Sequence, residues 1–166
     1  MYACADVHYE NDSARAVCLT FNTWRSAHPI SEYSIVIEHI DEYVPGQFYR
    51  RELPCLVQVL REIKEPVEVL VIDGYVWLDK ANTPGLGAYV YKALDEQIGI
   101  IGVAKTRFRE AEHAVKVFRG WSKKPLLITS VGIPPSEAAM CIRKMHGKYR
   151  IPTLLKLVDQ RTRKNT

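Results

Sequence analysis

The chain has 166 residues, 47% of them hydrophobic, with four cysteines and a formal net charge of +4. That length suits one domain with a real core, and no apolar stretch reaches the length of a bilayer span. Cys4, Cys18, Cys55 and Cys141 lack CxxC spacing, which argues against zinc and for reduced thiols in a cytoplasmic protein, and MYACADVHYE has no basic region followed by an apolar one, so no signal peptide is expected.

MYACADVHY is expected to form a first strand, ARAVCLTFNTW a second and EYSIVIEHI a third. The short NDS segment between the first two predicts a hairpin. PGQFYRRELPCLVQVLREI carries Phe48, Leu53, Leu56, Val57, Leu60 and Ile63 near helical spacing. Proline fits poorly inside a helix, so this helix is expected to begin at Pro54, with the ring in its first turn. In EVLVIDGYVWLDK, Val69 to Ile72 form an unbroken, β-branched-rich apolar run, the pattern of a strand buried on both faces. Asp73 then falls at its carboxyl end, where open α/β sheets bind ligands.

Further along, GAYVYKALDEQ predicts a helix, IGIIGVAK and PLLITSVG predict buried strands, and PPSEAAMCIRKMH and PTLLKLVDQRTRK predict two closing helices. A meander followed by alternating helix and strand is an α/β order. It places the first strand beside the later parallel ones in a mixed sheet. Nothing marks a repeat, a low-complexity linker or a second domain, so residues 1–166 are expected to form one.

Charge is unevenly spread. From Arg143 to Thr166 eight Lys or Arg face one acid, Asp159, a net of +7 that leaves −3 for the rest. Such a cluster suits a phosphate backbone through counterion release, and it equally suits a solubilising tail.

If the first strand neighbours VLVID, Asp6 and Asp73 face each other across the pair, and Glu52 near the start of the intervening helix can add a third carboxylate. Carboxylates held together resist joint ionisation unless a cation lies between them. An all-oxygen set favours Mg²⁺ or Mn²⁺ over zinc, and such centres serve phosphoryl chemistry. By composition alone, three scattered acids are more often solvated surface charges.

Six segments then resemble, in the same order, those of the endonuclease V family: DVHY at Asp6–Tyr9, YVPGQFYRRELP, VIDGY, IGVAKTRF, and the closing pair TSVGIPPSEAA and YRIPTLLKLVDQRTR. The intervals agree as well, 46 positions from Asp6 to Glu52 and 21 from Glu52 to Asp73. The resemblance implies an RNase H-like α/β fold, a mixed sheet of five or more strands flanked by helices. It implies Mg²⁺-dependent (or Mn²⁺-dependent) cleavage of DNA or RNA near deaminated adenine, inosine, by a cytoplasmic monomer without membrane attachment. Asp6, Glu52 and Asp73 are the implied metal ligands, with Asp159 a fourth or outer one. Lys105 is implied to orient water or offset phosphate charge.

Tyr43, Val44 and Pro45, followed by Gly46, correspond to the family's wedge, which enters the duplex and helps expose the altered base. Gly74 and Gly102 would let backbone approach that base, and Trp77, just past the site, would stack on it. The chain departs from the family in places. Asp79 and Lys80 stand where a histidine and basic residues are usual, Ile133 stands at a second family histidine, and the helical leader that many members carry before the first strand is not expected. His8 would face the same side of its strand as Asp6. Two readings follow: a metal-dependent endonuclease, or a nucleic-acid-binding protein of the same fold with weak, lost or altered cleavage.

Overall fold

Strands β1 (Tyr2–Glu10) and β2 (Ser13–Phe21) form the expected hairpin, in register from Tyr2 opposite Phe21 to Glu10 opposite Ser13. The two-residue turn places Asn11 at φ 54°, a left-handed conformation that Asn tolerates better than most residues. The computed structural model describes residues 1–40, 42–109 and 111–163. Asp41, Glu110 and 164–166, including Lys164 of the basic segment, lie outside the described residues, as does the Phe48 side chain.

Strand β3 (Ser31–Glu38) pairs antiparallel with β2 and alternates half-buried and exposed residues, the pattern of a sheet edge covered on one face. Helix α1 (Phe48–Arg61) then crosses to β4 (Val69–Asp73), which pairs parallel with β1 from Tyr2 opposite Val69 to Ala5 opposite Ile72. Helix α2 (Leu86–Ala93) leads to β5 (Gly99–Ala104), parallel to β4 and buried throughout. Strands β6 (Val115–Val117) and β7 (Leu126–Val131) follow, with β7 antiparallel to β5. Helices α3 (Pro135–Lys144) and α4 (Thr153–Thr162) close the chain. The seven strands run in the order β3-β2-β1-β4-β5-β7-β6, so β1 does lie beside the later parallel strands.

Period-two alternation along the central strands divides the core into two layers. Ala3, Ala5 and Val7 of β1, with Leu70 and Ile72 of β4, pack under Cys55, Leu56 and Val59 of α1. Cys4, Val71, Ile101 and Val103 face the other way, onto Ala138 and Ile142 of α3 and Leu154 and Val158 of α4. The alanines on the α1 side allow the helix a close approach.

Three expectations need correction. Helix α1 begins at Phe48, so Pro54 lies inside it, not in its first turn. The proline forfeits the bond to the Arg50 carbonyl. The complete burial of Cys55, Leu56 and Val59, worth about 1.5–3 kcal/mol for each large side chain, holds the helix through it. Its first turns are also clamped: the Tyr49 ring stacks on Tyr89 of α2 with centroids 4.0 Å apart, and the Arg51 guanidinium lies 3.9 Å over the Tyr9 ring of β1. Helix α2 stops at Ala93 because Asp95 and Glu96 both take positive φ, 53° and 58°. The three-residue strand β6 had no expected counterpart; it is too short to carry a periodic signal.

Candidate active site

The alternation that builds the second core layer also builds the site. Following Cys4, Val71 and Val103 outward by two residues on each strand leads to Asp6, Asp73 and Lys105. All three therefore come to the same face of three adjacent parallel strands: Asp73 ends β4, Lys105 lies just past β5, and Asp6 sits midway along the longer β1, where it passes the end of β4. With Ala5 opposite Ile72, the next position along sets Asp6 beside Asp73, and Asp73 itself pairs with Val103. A small cavity of about 20 Å³ lies among Asp6, Asp73, Lys105 and Val158 of α4, enough for one water-sized occupant. Glu52 approaches from the fifth position of α1, held there by the Tyr9–Arg51 and Tyr49–Tyr89 contacts.

The electrostatics of the group are unusual for a protein surface. Burial raises the Asp6 carboxyl to about 7, with further repulsion from Asp73 and Asp159; the Val7 N–H, donating to Asp6 Oδ1 at 2.9 Å, works against this. Burial likewise raises Glu52 to about 8, and Asp6 and Asp73 add to the effect. In both, burial is the first cause and the crowding of negative charge adds to it, because too little positive charge is at hand. Lys105 supplies part of it: its Nζ donates to Asp73 Oδ2 at 3.0 Å. Partial burial works against the ammonium, but the charge and hydrogen bond of Asp73 outweigh it and raise Lys105 above its ordinary value.

Asp159 comes from α4, close enough to Asp6 for each to act on the other. Burial opposes its ionisation, but Arg163, whose Nε lies 3.0 Å and whose guanidinium nitrogen lies 2.9 Å from Oδ1, outweighs that and lowers the carboxyl. Among the described residues no three Asp, Glu, His or Cys side chains stand close enough, as arranged, to share one metal ion. The donor chemistry nevertheless suits a hard divalent cation: oxygen ligands only, mutually repelling carboxyls, a water-sized cavity and a lysine ammonium already neutralising one of them.

The other expected residues fall at varied places. Tyr43, Val44, Pro45 and Gly46 form an exposed turn just before α1, closed by the Gln47 N–H donating to the Val44 carbonyl at 3.0 Å. Gly46 has φ 79° and Gly74 φ 111°, each with open space where a side chain would begin. Gly102 differs. A Cβ there would meet the Gly74 carbonyl oxygen at 2.6 Å, Thr129 Oγ1 at 2.9 Å and the Val76 nitrogen at 2.9 Å. Its missing side chain admits the protein's own 74–76 loop, not a base.

Trp77 is half-buried: its indole N–H donates to the Ser130 carbonyl at 3.1 Å and the ring packs on the α1-side core, so it tethers the loop after Asp73. Asp79 serves the same loop: its carboxylate accepts from the Ala81 and Thr83 N–H groups at 2.9 and 3.1 Å and from the Thr83 hydroxyl at 2.6 Å. Ile133 packs against the second core layer, and the Ser130 hydroxyl donates to its carbonyl at 2.8 Å. His8 lies on Asp6's face but farther out, in a shallow groove with Glu10, Arg15 and Thr162.

Sequence reasoning missed Arg150. Its guanidinium donates to the carbonyls of Lys105, Lys124 (3.0 Å) and Pro125 (3.0 Å), which fixes the backbone that carries Lys105. Within a run of basic residues, nothing local distinguishes it.

The family model described as Endonuclease V matches residues 1–132. No curated protein matches the chain in sequence. Among solved structures, one is the Ciona intestinalis endonuclease V in complex with a 24mer DNA containing an inosine followed by a ribo-adenosine. It has a TM-score of 0.81 at 16% identity, over 98% of this chain and 83% of that one. The Streptomyces avermitilis endonuclease V superposes with a TM-score of 0.74 at 23% identity, over 98% and 79%. The catalytic domain of human endonuclease V gives 0.73 at 22%, over 98% and 80%. These likenesses identify the fold as RNase H-like, with seven strands where five or more were expected. Among the described residues no helix is long and apolar enough to cross a membrane.

Proposed function

The chain belongs to the endonuclease V family, and from that premise we propose that it is a divalent-metal-dependent endonuclease. It hydrolyses a phosphodiester bond in DNA or RNA near a deaminated adenine, inosine, leaving a 3′-hydroxyl and a 5′-phosphate. The observation that carries the reading is the meeting of Asp6, midway along β1, with Asp73 and Lys105 at the carboxyl ends of β4 and β5, and the half-buried carboxyl of Glu52 beside them.

Asp6, Glu52 and Asp73 would hold the ion, Mg²⁺ or Mn²⁺, with Asp159 as an outer ligand. A bound divalent cation would supply water activation and charge stabilisation at the leaving oxygen. Lys105, drawn into the site by Asp73, can turn its ammonium to the phosphate or to the attacking water once Asp73 is otherwise engaged. The exposed Tyr43–Val44–Pro45 turn sits next to Glu52 in the chain. It offers apolar side chains for insertion between base steps, which would expose the altered base.

A second reading, nucleic-acid binding with weak or altered cleavage, draws on Ile133 and Asp79. Where histidines would face the phosphate in the resemblance, one position is a half-buried isoleucine packed against the core and the other is committed to its own loop. One experiment separates the two: incubation with labelled single- and double-stranded DNA and RNA, each with and without one inosine, in Mg²⁺, Mn²⁺ or EDTA. Cutting at a fixed offset from inosine in metal alone supports the enzyme. Binding without cutting in any metal rejects it for the second reading.

A further inference from the structure

Trp121 is fully exposed and Tyr149 is mostly exposed, yet the backbone under both is fixed. Arg119, only 6% exposed, donates to the carbonyls of Ile142 (3.0 Å), Arg143 (3.2 Å), Met145 (2.9 Å), Gly147 (2.9 Å) and Tyr149 (3.4 Å). The next residue, Gly120, has φ 59°, and a Cβ there would meet the Lys148 carbonyl oxygen at 2.6 Å and the Tyr149 Cα at 3.2 Å. The turn carrying Trp121 is thus pressed onto the segment carrying Tyr149. A buried arginine and a close-packed glycine hold a platform whose two rings remain in solvent.

These rings border a groove of about 550 Å³ that also reaches Lys105, Arg150, Lys156 and Asp159. A second groove of about 350 Å³ continues from Lys105 and Arg150 past Arg107, Lys116 and Lys124. Both grooves meet at the lysine that pairs with Asp73. Their walls are basic, and the one acid, Asp159, is already paired with Arg163. Among the described residues Lys116, Lys124, Lys148 and Lys156 make no ion pair, and the Lys148 ammonium lies 5.4 Å from the Tyr149 ring centroid.

We propose that this groove is a track for a single nucleic-acid strand leaving the carboxylate centre past Lys105, with an unpaired base stacked on Trp121. The pairing of aromatic faces with unpaired lysines favours a strand that offers both bases and phosphates; an acidic peptide would use only the charge. The proposal rests on the nuclease reading for its direction, but it is a binding claim with a test of its own.

In EDTA, where cleavage is blocked, binding of labelled oligothymidylate and oligouridylate is measured by anisotropy for the wild type, Trp121→Ala and Trp121→Phe. Polyglutamate serves as competitor, and intrinsic tryptophan fluorescence is followed in parallel. Because Trp121 is fully exposed, neither substitution disturbs the core. The alanine variant should bind about tenfold more weakly and lose the fluorescence quenching, while the phenylalanine variant keeps most of the affinity. Lys156→Ala should lower the slope of log affinity against log salt by about 0.7. The two oligomers distinguish DNA from RNA. Equal affinity of wild type and Trp121→Ala, or displacement by polyglutamate as effective as by unlabelled oligomer, overturns the proposal. If binding behaves as expected but the wild type cuts nothing in metal, the nuclease reading fails and the track stands.

Discussion

Asp73 ends β4, Lys105 follows directly on the neighbouring parallel strand β5, and their side chains are joined by an ion pair of 3.0 Å between Nζ and Oδ2. Both are well exposed, 39% and 46%, so the pair adds little to stability, within about 1 kcal/mol. Its importance is positional: it holds a cation where the carboxylates need one. Lys105→Ala should leave the melting temperature nearly unchanged and lower single-turnover cleavage about 100-fold. Unchanged cleavage would remove Lys105 from the chemistry.

Asp73→Asn removes a proposed ligand from the most open of the carboxyl positions. Cleavage should be abolished, while affinity for uncut nucleic acid, measured by anisotropy in EDTA, stays close to that of the wild type. A variant that cleaves at the normal rate would sink the assignment.

Metal-free stability should depend on pH in a definite direction. Asp6 and Glu52 have ordinary values of 3.8 and 4.5 but are raised to about 7 and about 8 in the fold. Between those limits the folded state holds protons that the unfolded chain has released, so stability falls as pH rises. The stabilisation is complete below pH 4 and is lost by the time pH passes 8, at up to about 1.4 kcal/mol per pH unit for each group. Thermal melts from pH 4 to 9 in EDTA should show this decline, Asp6→Asn should flatten it, and Mg²⁺ should reduce it at pH 8. A metal-free melting temperature that rises between pH 5 and pH 8 would contradict the buried-carboxyl description.

Tyr43 and Val44 are about half exposed, at 54% and 48%, and belong to neither core layer. Replacing both residues by alanine should alter unfolding free energy by no more than about 0.5 kcal/mol. Cleavage of double-stranded inosine substrate should fall well below cleavage of single-stranded substrate, because only the duplex must be opened. Equal losses on both substrates would assign the turn to general binding.

Gly102→Ala tests a packing role. The added Cβ would lie 2.6 Å from a backbone carbonyl oxygen, which cannot rotate away as a side chain could. Destabilisation of about 1–3 kcal/mol is expected in urea melts, with cleavage also impaired because the displaced loop begins at Gly74. A wild-type denaturation midpoint would mean that the 74–76 loop moves freely.

Much of this architecture was legible in the chain because it rests on short-range rules. Burial on both faces demands an apolar residue at every position, which is why Val69–Ile72 announced a central strand and left Asp73 at its end. Period-two alternation put Asp6 on one face, and the crossover through α1 made β1 and β4 parallel neighbours. The ordered segments from DVHY to DQRTR carried the family on their own.

Tertiary packing decided the rest. Pro54 argued for a later helix start, but the buried face of α1 and the clamps at Tyr49 and Arg51 outweighed one lost hydrogen bond. Trp77 and Gly102 resembled ligand contacts in sequence; Ser130 and the Gly74 carbonyl, 53 and 28 positions away, take up the one's hydrogen bond and the other's space. Arg119 and Gly120 join Trp121 to Tyr149 across a separation that no local pattern encodes. Periodicity reports which face of an element is buried. What covers that face, and which aromatic is left over for solvent, depends on contacts between segments far apart in the chain.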